Sequence, residues 1–306
     1  MSIKGKISLY LSCLKRVHAD IKQLSKGQKA NYDLLQLAHR LEKGLLIETP
    51  KLMWGWEKAN RIVELLDVND DPFSTQTAKA VLSAFLSAKS KSQYEEDRQK
   101  YQEFIDKTHF VPEDEDGTKK MGGTIKVEKP VFTSEEFSSI EKMFNTRHSC
   151  REFATDPVPD EIISRAVELA LRCPSACNRQ PFKVYVITPN KLESKLGHKL
   201  QYKAGKTLII TGDVRAFTSG ELLDWIVSPS IFVGYLTLAL HSLGIGSCVI
   251  RKDLVKHSRY NEALKEVAGI GESERIILEM FVGYYKNQYM VPMSNRTAAK
   301  SIMKFL

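Results

Sequence analysis

Between Pro112 and Pro130 the chain changes character, and that break constrains its fold more than any other feature. The segment holds Gly117, Gly122 and Gly123, and its charge switches from acidic (Glu113 to Asp116) to basic (Lys119, Lys120). Such a stretch cannot bury enough apolar surface to order itself, so it reads as a linker that drapes over the unit that follows. Before it, apolar residues recur only at helical spacing. Ile7, Leu11, Leu14, Val17, Ile21 and Leu24 make one stripe with Gly27 as its stop, and Leu34, Ala38, Leu41 and Leu45 make a second. Ile62, Val63, Leu65 and Leu66 mark a third helix ended by Asp70-Asp71-Pro72, and Ala78, Val81, Leu82 and Phe85 a fourth. Ser92-Gln93-Tyr94-Glu95 has the form of a capping box opening a fifth, with Tyr101, Phe104 and Ile105 inward.

After the linker, helical and strand periods alternate. A capping box at Thr133–Glu136 opens a helix with Phe137, Ile140 and Phe144 on one stripe, and Pro159 starts another with Ile162, Ile163, Val167, Ala170 and Leu171 inward. Strands are expected at 183–187, 207–211, 248–250 and 275–282, with a helix from about Ser228 to Leu243. Helices interleaved with few strands predict an α+β unit whose sheet is covered on both faces. The division is therefore residues 1–110 all-helical, 111–130 linker and 131–306 α+β.

Composition narrows the class. The formal charge is +8, and residues 1–60 carry eleven Lys/Arg against five Asp/Glu, +6 of that total. Such a bias attracts nucleic acid, an anionic membrane surface or an acidic partner. No nucleic-acid-binding motif accompanies it, so a solvated helical face is favoured, with weak membrane-surface contact through the first helix as the alternative. Five cysteines, an odd number, argue for free thiols in a reducing, cytoplasmic setting, and Cys173 and Cys177 lack the second pair a zinc site needs. Ser8 and Ser12 interrupt the apolar run near the N-terminus, which argues against a secretory signal. The apolar region Trp225–Ile250 contains Pro229, Gly234, His241, Gly244 and Gly246, and is expected to be a core helix too interrupted to span a bilayer.

Two short motifs carry the chemistry. Arg147-His148-Ser149-Cys150-Arg151 places two guanidiniums, an imidazole and a hydroxyl on five residues, and arginine's planar donor fork matches a phosphate or polarised carbonyl. Alone, such a pentapeptide reads rather as surface arginines at the end of a helix, complementing its dipole. The second, Pro174-Ser175-Ala176-Cys177-Asn178-Arg179-Gln180-Pro181-Phe182, is a helix-ending turn with a Pro-locked exit into a strand. In this order and spacing the pair resembles the two flavin-binding signatures of the nitroreductase family, over roughly residues 131–306.

That resemblance implies a central, mostly antiparallel sheet covered by helices, and a homodimer binding FMN at its interface, with NADH or NADPH as electron donor. It implies that Arg147 and Ser149 hold the FMN phosphate and ribityl chain, that His148 contacts the cofactor between them, and that Arg151 lies beside the flavin N1/C2 carbonyl edge. A fixed cation there stabilises the reduced ring. Pro174, Ser175, Ala176 and Asn178 correspond to the turn that the partner subunit lays against the ring, with Phe182 where the family commonly has Trp. Gly246 and Ser247 correspond to backbone donors toward flavin N5 and O4, and Arg296 to a last phosphate ligand. No side-chain acid or base and no metal is implied. The segments between Ile187 and Thr207 and between Asp213 and Pro229 are short for the family, which leaves the site open or covered by the helical region. His39 and Glu42, on one flank of a helix, are candidates for a polar contact to substrate, against the plainer reading of a solvated face. The helical extension is similar to those on nitroreductase-like proteins of surface-polysaccharide synthesis. Oxidoreductase activity by a ping-pong route is thus the leading expectation, and a flavin-binding partner protein without NAD(P)H turnover the alternative.

Overall fold

The computed structural model describes residues 4, 5, 7, 8, 11, 12, 14, 15, 26–48, 51–112, 122–218, 220–221, 223–251 and 259–306. Ile7, Leu11 and Leu14 are helical, while Val17, Ile21 and Leu24 lie outside the described residues. Four helices follow: α1 (Lys26–Leu45), α2 (Trp56–Leu66), α3 (Pro72–Ser90) and α4 (Glu95–Thr108). The apolar stripes behave as their spacing dictates. Leu34, Ala38, Leu41, Ile62, Leu65, Ala78, Val81, Leu82, Phe85 and Phe104 are buried in one common core. Trp54 and Trp56 both meet Phe85 edge-on, with ring centroids 5.8 and 5.3 Å away.

Three expected helix ends differ. Gly27 lies in the first turn of α1 instead of ending the helix before it. Asp71 does not close α2 but opens α3: its carboxylate accepts from Ser74 N–H at 2.8 Å, with Pro72 in the first turn, where a missing N–H costs nothing. At α4 no capping box forms. Tyr94 is the N-cap, and the Ser92 hydroxyl accepts from the Tyr94 N–H at 3.2 Å and donates to buried Asp97. The described end of the linker also goes elsewhere than expected. Gly122 packs on Val81 and the Gly123 N–H donates to Glu42 at 3.2 Å, so residues 122 and 123 lie against the helical region and not against the unit that follows.

The remainder is a mixed unit: α5 (Ser134–Thr146), α6 (Asp160–Ala170), β1 (Phe182–Ile187), α7 (Pro189–Leu196), β2 (Lys206–Asp213), α8 (Asp224–Ser242), β3 (Ile245–Arg251), α9 (Arg259–Ala268) and β4 (Glu274–Tyr284). The four strands form one antiparallel sheet in the order β1-β2-β4-β3. Strand alternation splits its side chains between two cores. Leu208, Ile210, Met280 and Val282 face α6 and α8 with Phe182, Phe232 and Leu236. Ile209 and Phe281 face α7 and α9 with Leu192 and Leu264.

Two features depart from the sequence pattern. Helix α8 runs unbroken for 19 residues through Pro229 and starts earlier than expected. By length and composition it could cross a membrane, yet Trp225, Phe232, Val233, Leu236 and Leu240 are packed against the protein. Gly212 accommodates this helix closely: a Cβ there would lie 2.2 Å from the Trp225 carbonyl, the acceptor that Pro229 cannot serve. Helix α5 forms the expected capping box, Glu136 N–H to Thr133 Oγ1 at 3.2 Å and Thr133 N–H to Glu136 Oε2 at 2.8 Å. It nonetheless buries no side chain, and its stripe residues Phe137 and Phe144 are 55% and 59% exposed.

The helical core sets a stability prediction. Phe85 is fully buried between two tryptophans, so Phe85→Ala should cost about 3–5 kcal/mol in the unfolding of the helical region. Denaturant titration followed by tryptophan fluorescence checks this, and a loss below about 1 kcal/mol would contradict the packing described.

Candidate functional site

Helix α5 ends where the first motif begins. Arg147 is its C-cap, in extended conformation (φ −72°, ψ 120°), so the chain leaves the helix and runs along the edge of the sheet. Ser149 bridges to Ser247 of β3, and the Cys150 N–H donates to the Ser247 carbonyl at 2.9 Å. Gly246 makes this approach possible, since a Cβ there would lie 2.9 Å from Cys150 Cβ.

A cavity of about 880 Å³ opens beside this segment. Arg147, His148 and Ser149 line it together with Ser294, Asn295 and Arg296 from the C-terminal stretch, while Val233, Leu238 and Val249 supply an apolar wall. Two arginines from sequence positions far apart thus line one concave space together with the Ser149 hydroxyl. That donor set fits a phosphate or another compact anion. Arg151 does not line the cavity. Its side chain is exposed and donates to the Ser149 carbonyl at 3.4 Å. Gly246 and Ser247 are buried in β3 behind the motif and do not line the cavity either.

The second motif lies elsewhere in the protomer. Pro174 and Ser175 leave α6, and Ala176–Asn178 form a single 3-10 turn in which the Ala176 N–H donates to Ser228 Oγ at 3.3 Å. Ser175 Oγ accepts from the Gln180 N–H at 3.1 Å. Cys177, Asn178 and Gln180 all have positive φ (50°, 51° and 48°), as does Ser294 (46°) in the cavity wall. Left-handed backbone at residues other than glycine is strained and persists where surroundings enforce it. Ser228 is near the start of α8 and His241 near its end, so the two motifs are about 20 Å apart along that helix.

Arg179, read from sequence only as part of the second motif, is what fixes that turn. Its guanidinium is 3% exposed and pairs bidentately with Glu221. It also donates to the carbonyls of Ala216 and Ala176 and lies 4.7 Å over the Phe217 ring. Beside it, Tyr32 of α1 donates to buried Asp213 at 3.1 Å, and Asp213 also holds Arg215 at 2.6 Å. Helix α1 therefore packs directly against the 176–178 and 214–216 turns. Farther along α1, His39 Nδ1 is 3.6 Å from Glu42, whose other oxygen takes the Gly123 N–H. Burial raises the Glu42 carboxyl's pKa, and neither residue lines the Arg147 cavity.

Three further residues, at the junction of α5, α8 and the chain after β4, carried little sequence signal. His241, in the last turn of α8, lies 2.9 Å from Thr146 Oγ1 through Nε2 and 2.8 Å from Tyr285 Oη through Nδ1. In the sequence it stood out only as a polar interruption of an apolar run.

Comparison with known proteins finds similarity over part of the chain. The model of the nitroreductase family matches residues 145–214, which span both motifs. An Archaeoglobus fulgidus protein named for NADH dehydrogenase or NAD(P)H nitroreductase activity is 25% identical over 152 residues, 48% of this chain and 86% of its own. The iodotyrosine deiodinase of Hydra vulgaris is 23% identical over 194 residues, 52% of this chain and 70% of its own. A solved nitroreductase family protein from Streptococcus pneumoniae is 22% identical, covers 56% of this chain and 100% of its own, and superposes with a TM-score of 0.43. The family-model match lies within the mixed α/β part.

The Arg179–Glu221 pair makes the second turn sensitive to acid. Hydrogen bonding from Arg179 outweighs desolvation and pushes the Glu221 carboxyl down to about 2 from 4.5. A depressed folded pKa gives stability that is complete above about 4.5 and is lost as pH falls towards 2. The native chain should therefore lose stability through that window more steeply than Glu221→Gln, measured by denaturant midpoints at each pH. Parallel pH profiles would show that the pair does not hold the turn.

Proposed function

We propose that the chain is an FMN-dependent oxidoreductase that transfers hydride from NADH or NADPH to a small-molecule acceptor, acting as a cytoplasmic homodimer. In this reading residues 131–306 form the flavin-binding domain, 111–130 the linker and 1–110 a helical domain attached to it. One observation carries the proposal: Arg147, Ser149 and Arg296 line a single cavity, the three positions that the family resemblance assigns to the cofactor's phosphate end. Arg147 and Arg296 would bind the phosphate, Ser149 would accept or donate to it or to the ribityl chain, and the Val233–Leu238–Val249 wall would take apolar atoms. FMN, when bound, supplies the centre that takes hydride from the nicotinamide and gives it to the acceptor, and one shared position for both substrates makes the kinetics ping-pong.

The separation of the two motifs supports the homodimer. Within one protomer none of residues 174–178 lines the Arg147 cavity, whose α8 residues run from Ser230 to Leu238, so a cofactor touched by both motifs would be shared between two copies. Apolar surface supports this: Phe137, Phe144, Ile231, Tyr235, Met293 and Phe305 are all exposed. An unpartnered apolar surface of this kind marks an interaction site. In a dimer, Pro174, Ser175, Ala176 and Asn178 come from the partner, Arg151, Gly246 and Ser247 approach the ring, and His39 and Glu42 remain candidates for contact with the acceptor. The tie to surface-polysaccharide synthesis has the helical extension's resemblance as its support. Weak membrane-surface contact through the first helix has as support the +6 of residues 1–60.

Purified chain should bind FMN, and Arg147→Gln should weaken binding about tenfold or more, as loss of one charge-assisted bond implies. Anaerobic NADH or NADPH should then bleach the bound flavin's absorbance. Protein that binds no FMN refutes the proposal. FMN binding without bleaching by either nucleotide favours the alternative of a flavin-binding partner protein in a biosynthetic assembly, a reading motivated by the helical region packed against the 176–178 turn.

A further inference from the structure

We infer that His241 is a positioning residue for the anion end of the cavity, acting through a one-directional hydrogen-bond relay that runs Tyr285–His241–Thr146. The inference deepens the FMN reading and rests on it. The direction of the relay follows from counting protons. The Thr146 hydroxyl donates to the Lys142 carbonyl at 2.7 Å, and a hydroxyl has one proton to give. Its oxygen can therefore only accept from His241 Nε2, 2.9 Å away, which puts the imidazole proton on Nε2. Nδ1 then carries a lone pair and accepts the Tyr285 O–H at 2.8 Å. The neutral imidazole is the form this relay requires. Burial, helped by Arg147 and His148 from the adjoining segment, lowers the pKa of His241 and so favours that form. On the other side, Tyr285 stacks on Tyr289 at 5.2 Å between centroids.

Why a relay is needed here follows from the packing of α5. That helix buries no side chain fully, Ile140 and Met143 being only half-buried, so apolar packing within the protomer holds its end weakly. Thr146 is its last residue, and the next peptide launches Arg147 and His148 toward the cavity. His241 ties Thr146 to the end of α8 and, through Tyr285, to the chain just after β4. The far side of the motif is held independently by the Cys150 N–H to Ser247 and by Ala154 N–H to the Tyr284 carbonyl, both 2.9 Å. Residues 147–149 are thus suspended between two anchors, and His241 is the upstream one. Removing it frees the base of Arg147 without touching the apolar wall of the cavity.

The test compares FMN with riboflavin, which lacks the phosphate, by fluorescence titration of the full chain. The native chain should prefer FMN strongly. His241→Ala should weaken FMN about tenfold while riboflavin affinity stays within about twofold, and His241→Gln, which keeps one donor and one acceptor, should recover most of the loss. Tyr285→Phe, which loses a single hydroxyl, should shift the FMN-to-riboflavin ratio in the same direction and keeps the test decisive if His241→Ala does not fold. A native preference for FMN that survives both His241→Ala and Tyr285→Phe, or equal losses for both flavins, overturns the inference and leaves the flavin reading standing. A native chain with no preference for FMN overturns the flavin reading itself.

Discussion

Two guanidiniums that line one cavity give it the donor set for an anion. Arg147 and Arg296 are that pair. Arg147 is delivered by the end of α5 and Arg296 by the C-terminal stretch beyond β4, so the whole mixed unit is needed to bring them together. Much else in the structure serves their placement. Gly246 lets the motif lie against β3, Cys150 N–H fastens it there, and His241 holds the end of the helix that precedes it.

The second motif is fixed by different physics. Its turn carries three left-handed residues other than glycine, and the strain is held by a buried guanidinium whose partners come from the 214–221 loop. Helix α1 presses on the same two turns, with Tyr32 reaching Asp213. The helical region is therefore coupled to the 176–178 turn, the part that the resemblance lays against a flavin ring. On α5 and α8, Phe137, Phe144 and Tyr235 leave aromatic rings exposed to solvent, as interaction surfaces do.

Much of the fold was legible because burial and period agree. Leu34, Ala38 and Leu41 in the helical region, and the strands around Ile209 and Phe281, follow the rules for one-sided helices and alternating strands. The misreadings came from residues whose chemistry serves either end of an element. Asp71-Pro72 stops one helix as readily as it starts the next, and the α3 core decides for the start. Ser92 was drawn into the Asp97 cluster instead of capping α4. Pro229 was expected near the start of α8, but the helix begins before it: Pro229 leaves only the Trp225 carbonyl without its helical donor, and Gly212 leaves room beside that carbonyl. Arg147, His148, Ser149 and Arg296, singled out through the family resemblance, line one cavity. His241, Thr146 and Tyr285 were not, because their relation exists only after α5, α8 and β4 have packed, and no local pattern in the chain records it.

The most direct measurement of the central claim is the thermal unfolding of the native chain with rising FMN, beside a variant carrying both Arg147→Gln and Arg296→Gln. A ligand held only by the folded state raises the melting temperature progressively with its concentration. The account predicts that rise for the native chain and its loss in the double variant. A melting temperature that FMN leaves unmoved, or one that FMN raises equally in both proteins, would contradict it.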